Sequence, residues 1–188
     1  PELRQRLVSA AHALTGARSP DVPLATVDAR CLPLGRACLG VVRSEWYLLK
    51  EAKSRNPAIL TYGLSWAWPA WTGNFTNSPW NAPAKAANYT INWLRCARDS
   101  HSVDIDYVGS WNERSYSADY LKLLRRELDS NGFPSTRIVA PDSNWGIAGD
   151  MLTDPELMDA VDIVGAHYPG MTSSSDAIKT GKLLAASE

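Results

Sequence analysis

Hydrophobic positions in this chain fall into short apolar runs, separated by stretches where they recur every three or four residues. The first stretch, ELRQRLVSAAHAL, spaces Leu3, Leu7, Ala10 and Leu14 along one helical face. TGARSPDVP breaks that rhythm, and ATVDARCLPLGRACLG has no clean period. Regularity begins at Ser44, which is read as the cap of a helix carrying Trp46, Leu49 and Ala52 on one face, with Pro57 beyond its end. AILTYGLSW (58–66) reads as a buried strand. Pro83 opens a helix whose Ala87, Ile91 and Leu94 share a face, and IDYVGSW (105–111) is the next strand. Ser117 caps ADYLKLLRREL, where Leu121, Leu124 and Leu128 align. Asp119 lies early in that helix and Arg125 and Arg126 late, as the dipole favours. Gly132 fits the position just past its end. RIVA (137–140) is a strand, and Asp154 with Pro155 opens a helix before Leu157 and Met158. DIVGAHY (162–168) is a strand, SDAIKT a short helix, and KLLAAS (182–187) a last strand.

Short apolar strands alternating with amphipathic helices imply parallel βαβ units. An open doubly wound sheet and a closed eight-stranded barrel both satisfy that pattern. No G-x-G-x-x-G follows the first strand, which removes the main reason to favour a dinucleotide fold. Polar residues gather where strands end: Ser65-Trp66, Asn112-Glu113, Asp142-Ser143-Asn144, His167-Tyr168 and Ser187-Glu188. Chemistry spread over successive strand ends is what the mouth of a barrel requires, whereas an open sheet concentrates it at one switch point. The expected fold is therefore α/β, an incomplete (β/α)8 TIM barrel. It comprises a poorly defined segment over 1–42 and a partial barrel over 43–188.

Composition narrows the partners. A formal net charge of −1 argues against nucleic acid or an anionic membrane surface as the main partner. No apolar stretch reaches the roughly 18 residues of a transmembrane helix. Neither end carries a signal peptide or a tail, so the chain reads as a fragment of something longer. Cys31, Cys38 and Cys96 give no zinc spacing and no even disulfide framework. Unpaired small residues, or one disulfide with one thiol left over, both fit them. Asn74-Phe75-Thr76 and Asn88-Tyr89-Thr90 are glycosylation sequons if the chain is secreted or lysosomal. Six of the eight tryptophans lie between Trp66 and Trp111, as core packing or as a platform for sugar rings.

Glu113 and Glu188 are the two carboxylates that end predicted strands. Two carboxyl groups about 5 Å apart hydrolyse a glycoside with retention, one attacking the anomeric carbon and the other acting as acid and then base. Local chemistry alone also allows Glu113 as a first-turn helix residue and Glu188 as merely the last residue of the chain. Asn112 suits a hydrogen bond to a substrate hydroxyl or a turn. His167 and Tyr168 suit orientation of a carboxylate or contact with the sugar. No His, Cys and carboxylate spacing resembles a metal site, and Ser65 and Ser187 lack the context of a nucleophile elbow.

EWYLLKEAKSRNP, GLSWAWPAW, DIDYVGSWNERSY, VDIVGAHYPG and LLAASE together resemble the galactocerebrosidase family of retaining glycoside hydrolases, over about Arg43 to Glu188. The Asn-Glu pair after a strand is shared by many retaining glycosidases; WNERSY with GAHYPG is more specific. The resemblance implies the catalytic barrel, about strands 3 to 7, with no metal or other cofactor. It implies Glu113 as acid/base, Glu188 as nucleophile, Asn112 beside the acid/base and Trp66 lining the galactose pocket. It further implies a galactosylceramide-type substrate, a saposin-like lipid activator, and a lysosomal or secreted location. Residues 1–42 depart from the family, and its eighth strand, β-sandwich and lectin-like domain are absent, so the piece is expected to be inactive alone. Two other readings remain open: a non-catalytic sugar-binding barrel module, and a related retaining glycosidase acting on glucosylceramide or a polysaccharide.

Overall fold

A computed structural model describes residues 7–9, 43–169 and 172–187. Among the described residues, six strands form one sheet: β1 Leu7–Ser9, β2 Leu60–Gly63, β3 Tyr107–Gly109, β4 Arg137–Ser143, β5 Ile163–Ala166 and β6 Leu183–Ala186. Every neighbouring pair is parallel, and the order in the sheet is the order in the chain. That order decides between the two candidate architectures. Each right-handed crossover steps one strand further in the same direction, so all helices fall on one face and the sheet curls around the other. A doubly wound sheet has to reverse its order partway. The five strands β2 to β6 make a parallel half-barrel, as the strand-end pattern predicted, with β1 paired to the outer edge of β2.

The helices are α1 Arg43–Arg55, α2 Pro83–His101, α3 Ala118–Ser130, α4 Ile147–Thr153, α5 Pro155–Ala160 and α6 Ser175–Lys179. Ser117 caps α3 by accepting the Tyr120 N–H, and Leu121, Leu124 and Leu128 are buried along its inner face. Gly132, just past its end, has φ +82°, a value that costs glycine little and other residues more. Asp154 caps α5 by accepting the Leu157 N–H. Three local expectations give way. Leu7, placed above on a helical face, lies in β1, because pairing with the open edge of β2 outweighs a weak period; the rest of that segment is outside the described residues. α1 starts at Arg43, which puts Ser44 inside the helix rather than at its cap. α4 was not predicted, since its seven residues bury Ile147, Ala148 and Met151 over too short a span to show a period.

Strand alternation sorts the core into two layers. Val108, Ile138, Ala140 and Val164 point outward and pack under the helices with Leu94, Leu121, Leu124 and Leu128. Tyr62, Leu64, Tyr107, Val139 and Ile163 point inward and fill the concave side. Two aspartates close the lower end by one device. Asp106, just before β3, accepts from the Thr61 N–H at 2.8 Å, the Thr61 hydroxyl at 2.8 Å and Lys53 Nζ at 2.9 Å. Asp162, just before β5, accepts the Ile138 N–H at 2.8 Å and sits 4.0 Å from the Arg125 guanidinium. Each carboxylate reaches back to the second residue of the preceding strand and fixes the register there.

Burial pushes the Asp106 carboxyl up, but the Thr61 N–H, Lys53 and the Thr61 hydroxyl together outweigh it, so the group titrates below its ordinary value. Replacing Asp106 with Ala in the complete protein is expected to cost about 1–3 kcal/mol at neutral pH. A depressed folded-state pKa means that this contribution is complete above the unfolded value of about 4 and is lost as pH falls through the folded value. Urea unfolding of wild type and variant at neutral pH and near pH 3 checks it: the gap between them narrows at the acid end.

Candidate active site

At the C-terminal ends of the strands the hydrogen-bond ladder continues into the loops. Asn112 N–H donates to Ser65 O at 2.9 Å, Glu113 N–H to Asp142 O at 3.2 Å, His167 N–H to Ser143 O at 3.0 Å and Ser187 N–H to Ala166 O at 3.0 Å. The predicted strand-end residues therefore sit side by side around one rim. Glu113, Asp142 and Tyr168 each hold a positive φ, at 52°, 66° and 46°. For residues with a Cβ this conformation costs about 1–3 kcal/mol each and persists where surrounding contacts over-determine it, most often at functional sites.

Asp142 lies in a register irregularity of β4, between Pro141 and Ser143, where β4 pairs with β5. Plain alternation points Asp142 outward with Ala140; the extra residue re-aims it into the concave side. There it is fully buried. Tyr62 donates its hydroxyl to Asp142 Oδ1 at 3.0 Å, and His167 Nε2 lies 3.0 Å from Asp142 Oδ2. The other imidazole nitrogen, His167 Nδ1, lies 3.2 Å from Glu113 Oε1. A row of polar side chains thus runs Tyr62, Asp142, His167, Glu113 across four strands, with Asp142 and His167 in ion-pair range rather than hydrogen-bonded. Burial pushes the Asp142 carboxyl up, against the opposing pull of Ser187, His167 and Tyr62. Burial, and then the Asp142 charge, push the Tyr62 phenol well up.

Glycine makes the first link possible. Tyr62 is on β2 and Asp142 on β4, so the phenol must lie across β3, and it does so over Gly109. A Cβ on Gly109 meets the Tyr62 hydroxyl oxygen at 2.2 Å and Leu64 Cδ1 at 2.6 Å.

The proposed site residues are placed as follows. Glu113 is half exposed, with its side chain 53 % accessible, while the His167 side chain behind it is 3 % accessible. Asn112 Oδ1 is buried with no hydrogen-bond partner among the described residues. Tyr168 is exposed at the rim, its ring 5.9 Å from that of His167. Trp66 is partly exposed, and its carbonyl accepts the Trp111 indole N–H at 3.3 Å. Trp68, Trp71, Trp80 and Trp111 are taken up in edge and tilted contacts with one another, Tyr89 and Tyr120. Trp93 stacks on Trp46. Core packing therefore accounts for most of the cluster. Glu188 lies outside the described residues. Asn74 and Asn88 are both exposed, Asn74 in a turn and Asn88 on α2. Cys96, on α2, is disulfide-bonded to a residue outside the described set, which replaces the reading of three unpaired cysteines. Beside His167 a cleft of about 350 Å³ opens between the β4 and β5 loops, lined also by Trp145 and Ser173.

Sequence reasoning missed Asp142 and Tyr62 as functional partners. Tyr62 shares the inward period-two face with Leu64, and a phenol on such a face needs an acceptor. The bulge that re-aims Asp142 leaves no comparable mark in the residue pattern.

Sequential parallel strands with helices between them define a partial (β/α)8 barrel, a fold that carries its active sites at the strand C-termini. Residues 40–188 match the model of glycosyl hydrolase family 59. The chain belongs to that family. It is 47% identical over 144 residues to galactocerebrosidase of Danio rerio, covering 77% of this chain and 22% of that protein. It is 47% identical over 145 residues to galactocerebrosidase of Homo sapiens, covering 77% and 21%. Against the putative galactocerebrosidase of Caenorhabditis elegans the identity is 39% over 145 residues. The match thus spans about a fifth of the length of these curated relatives.

Gly109→Ala in the complete protein is expected to lose about 1–3 kcal/mol by overpacking. Tyr62→Phe in the same molecule should return part of that loss, since it removes the nearest clashing atom. A double-mutant cycle on unfolding free energies checks this; strict additivity contradicts the crossing of Tyr62 over Gly109.

Proposed function

We propose that the chain carries the acid/base half of a retaining β-galactosidase for galactosylceramide-type glycolipids. The observation that carries this reading is Glu113 at the tip of β3, half open to solvent and backed by His167 Nδ1 at 3.2 Å. Its support from outside the molecule is the family and the names of its relatives. Glu188 attacks the anomeric carbon while Glu113 gives its proton to the glycosidic oxygen, releasing the lipid alcohol. Glu113, now a carboxylate, takes a proton from water, which attacks the same carbon and frees Glu188. The buried Asn112 Oδ1 accepts from a sugar hydroxyl, which gives that orphaned atom its partner. Trp66 and Tyr168 flank the sugar with their exposed ring faces.

A disulfide at Cys96 and exposed sequons at Asn74 and Asn88 support a lysosomal or secreted setting, where thiols oxidise and glycans are added. The lipid tail calls for a saposin-like activator that lifts the substrate from its bilayer.

Glu113→Gln in the complete protein should lower kcat/KM for galactosylceramide by about 10²–10⁴-fold, and activity near wild type sinks the acid/base role. A 2-deoxy-2-fluoro-galactoside should trap a covalent adduct that peptide mapping locates at Glu188; labelling of another residue contradicts the nucleophile assignment. The 188-residue chain alone is expected to show no substantial galactosidase turnover, because β1 and β6 leave the described sheet open on both sides.

A further inference from the structure

Two indoles brace the segment that carries Glu113. On its N-terminal side Trp111 donates its indole N–H to Trp66 O at 3.3 Å. On its C-terminal side Trp80 donates its indole N–H to Ser115 O at 2.8 Å. The Asn112 N–H adds a bond to Ser65 O at 2.9 Å. These three bonds run to the connection between β2 and α2, so residues 111–115 are strapped to that loop at both ends. Glu113, at the middle, holds φ +52°, a conformation that a residue with a Cβ keeps only where its surroundings impose it. We propose that Trp80 is a positioning residue whose indole, anchored on the Ser115 carbonyl, keeps the Glu113 segment in place and ties it to Trp66. The proposal rests on the acid/base reading of Glu113 and adds a residue that acts on it only through the main chain.

Trp80 is itself fixed from the opposite side. It lies in a single 3-10 turn, Pro79–Asn81, where its N–H donates to the Ser78 hydroxyl at 3.2 Å and Pro79 restricts the backbone. Its ring centre lies 4.7 Å from that of Tyr120, 5.7 Å from that of Trp111 and 5.8 Å from that of Trp68. Tyr120 is fully buried on α3, and its hydroxyl pairs with that of Thr90 on α2 at 3.1 Å. Packing thus aims the indole N–H independently of Ser115, as a positioning group requires. One residue further on, the Tyr116 hydroxyl donates to Asp150 Oδ2 on α4 at 2.6 Å and ties the chain to the other flank. The Glu113 N–H reaches Asp142 O at 3.2 Å. Loss of the Ser115 anchor therefore frees the chain between Glu113 and Tyr116. A displacement of about 1 Å there is enough to cost about 10²-fold in a proton transfer that needs hydrogen-bonded geometry.

The test uses the complete protein and two aryl β-galactosides, one with a poor phenol leaving group and one with activated 2,4-dinitrophenol. Only the first needs a proton from Glu113 in order to leave. Trp80→Phe keeps an aromatic ring in the packing and removes the N–H. Its kcat/KM should fall by about tenfold or more on the phenyl substrate and by less than about threefold on the dinitrophenyl one. A loss of folded enzyme alone lowers both equally, so the split reads the position of the acid and not stability. Trp111→Phe opens the brace from its other end. It should show the same split at smaller size, because the Asn112 N–H still holds Ser65 O. If Trp80→Phe does not fold, Trp111→Phe decides. Equal losses on both substrates overturn the proposal and leave the two indoles as loop packing alone. Glu113→Gln, run alongside, separates the two levels. A split there with none in the tryptophan variants sinks the brace alone, and no split there means that the acid/base reading itself has failed.

Discussion

A carboxylate with no solvent exposure at the centre of a half-barrel has to be held from inside, and the groups around Asp142 come from other strands. Tyr62 from β2 donates to one of its oxygens, and His167 at the end of β5 lies within ion-pair range of the other. Removing an acceptor or donor from such a site leaves a buried polar group unpaired, at a cost that exceeds the worth of an ordinary surface contact. Much of the rim depends on that one requirement. The bulge in β4 turns Asp142 inward, Gly109 leaves room for the phenol to reach it, and the Asp142 carbonyl fixes Glu113 through its backbone. Glu113 is consequently placed twice, once along the main chain and once through the imidazole.

Much of the fold was legible because its signals are local and repeated. The caps at Ser117 and Asp154 are short-range chemistry written in three or four residues. The Leu121, Leu124 and Leu128 stripe needs only the helical period. Strand-end polarity favoured a barrel over an open sheet, and the sequential parallel order is the physical reason that inference held. Where the period is weak the reading failed. Leu7 joins a strand edge that no local pattern announces, and α4 is too short to show its face.

The site was legible only in part. Glu113, Asn112 and His167 follow apolar runs and so stand out as polar residues at predicted strand ends. Tyr62 and Asp142 are 80 residues apart, and their contact exists only because two inward faces meet over a glycine. The tryptophans gave an ambiguous signal that the structure divides. Trp68, Trp80 and Trp111 form an aromatic layer with Tyr120 under the loops, whereas Trp66 keeps an exposed face at the mouth. Aromatic content near a site thus serves mainly to stiffen the long connection between β2 and α2, and only at its edge to meet a ligand.

Retention requires a second carboxyl group at a fixed distance from Glu113, and that distance tests the account most directly. The measurement is a crystal structure of the complete protein, read at Glu113 and Glu188. The account predicts carboxyl groups about 5–5.5 Å apart, with Glu113 still against His167 Nδ1. A separation of about 6.5–9.5 Å, which leaves room for a water and an inverting displacement, contradicts it.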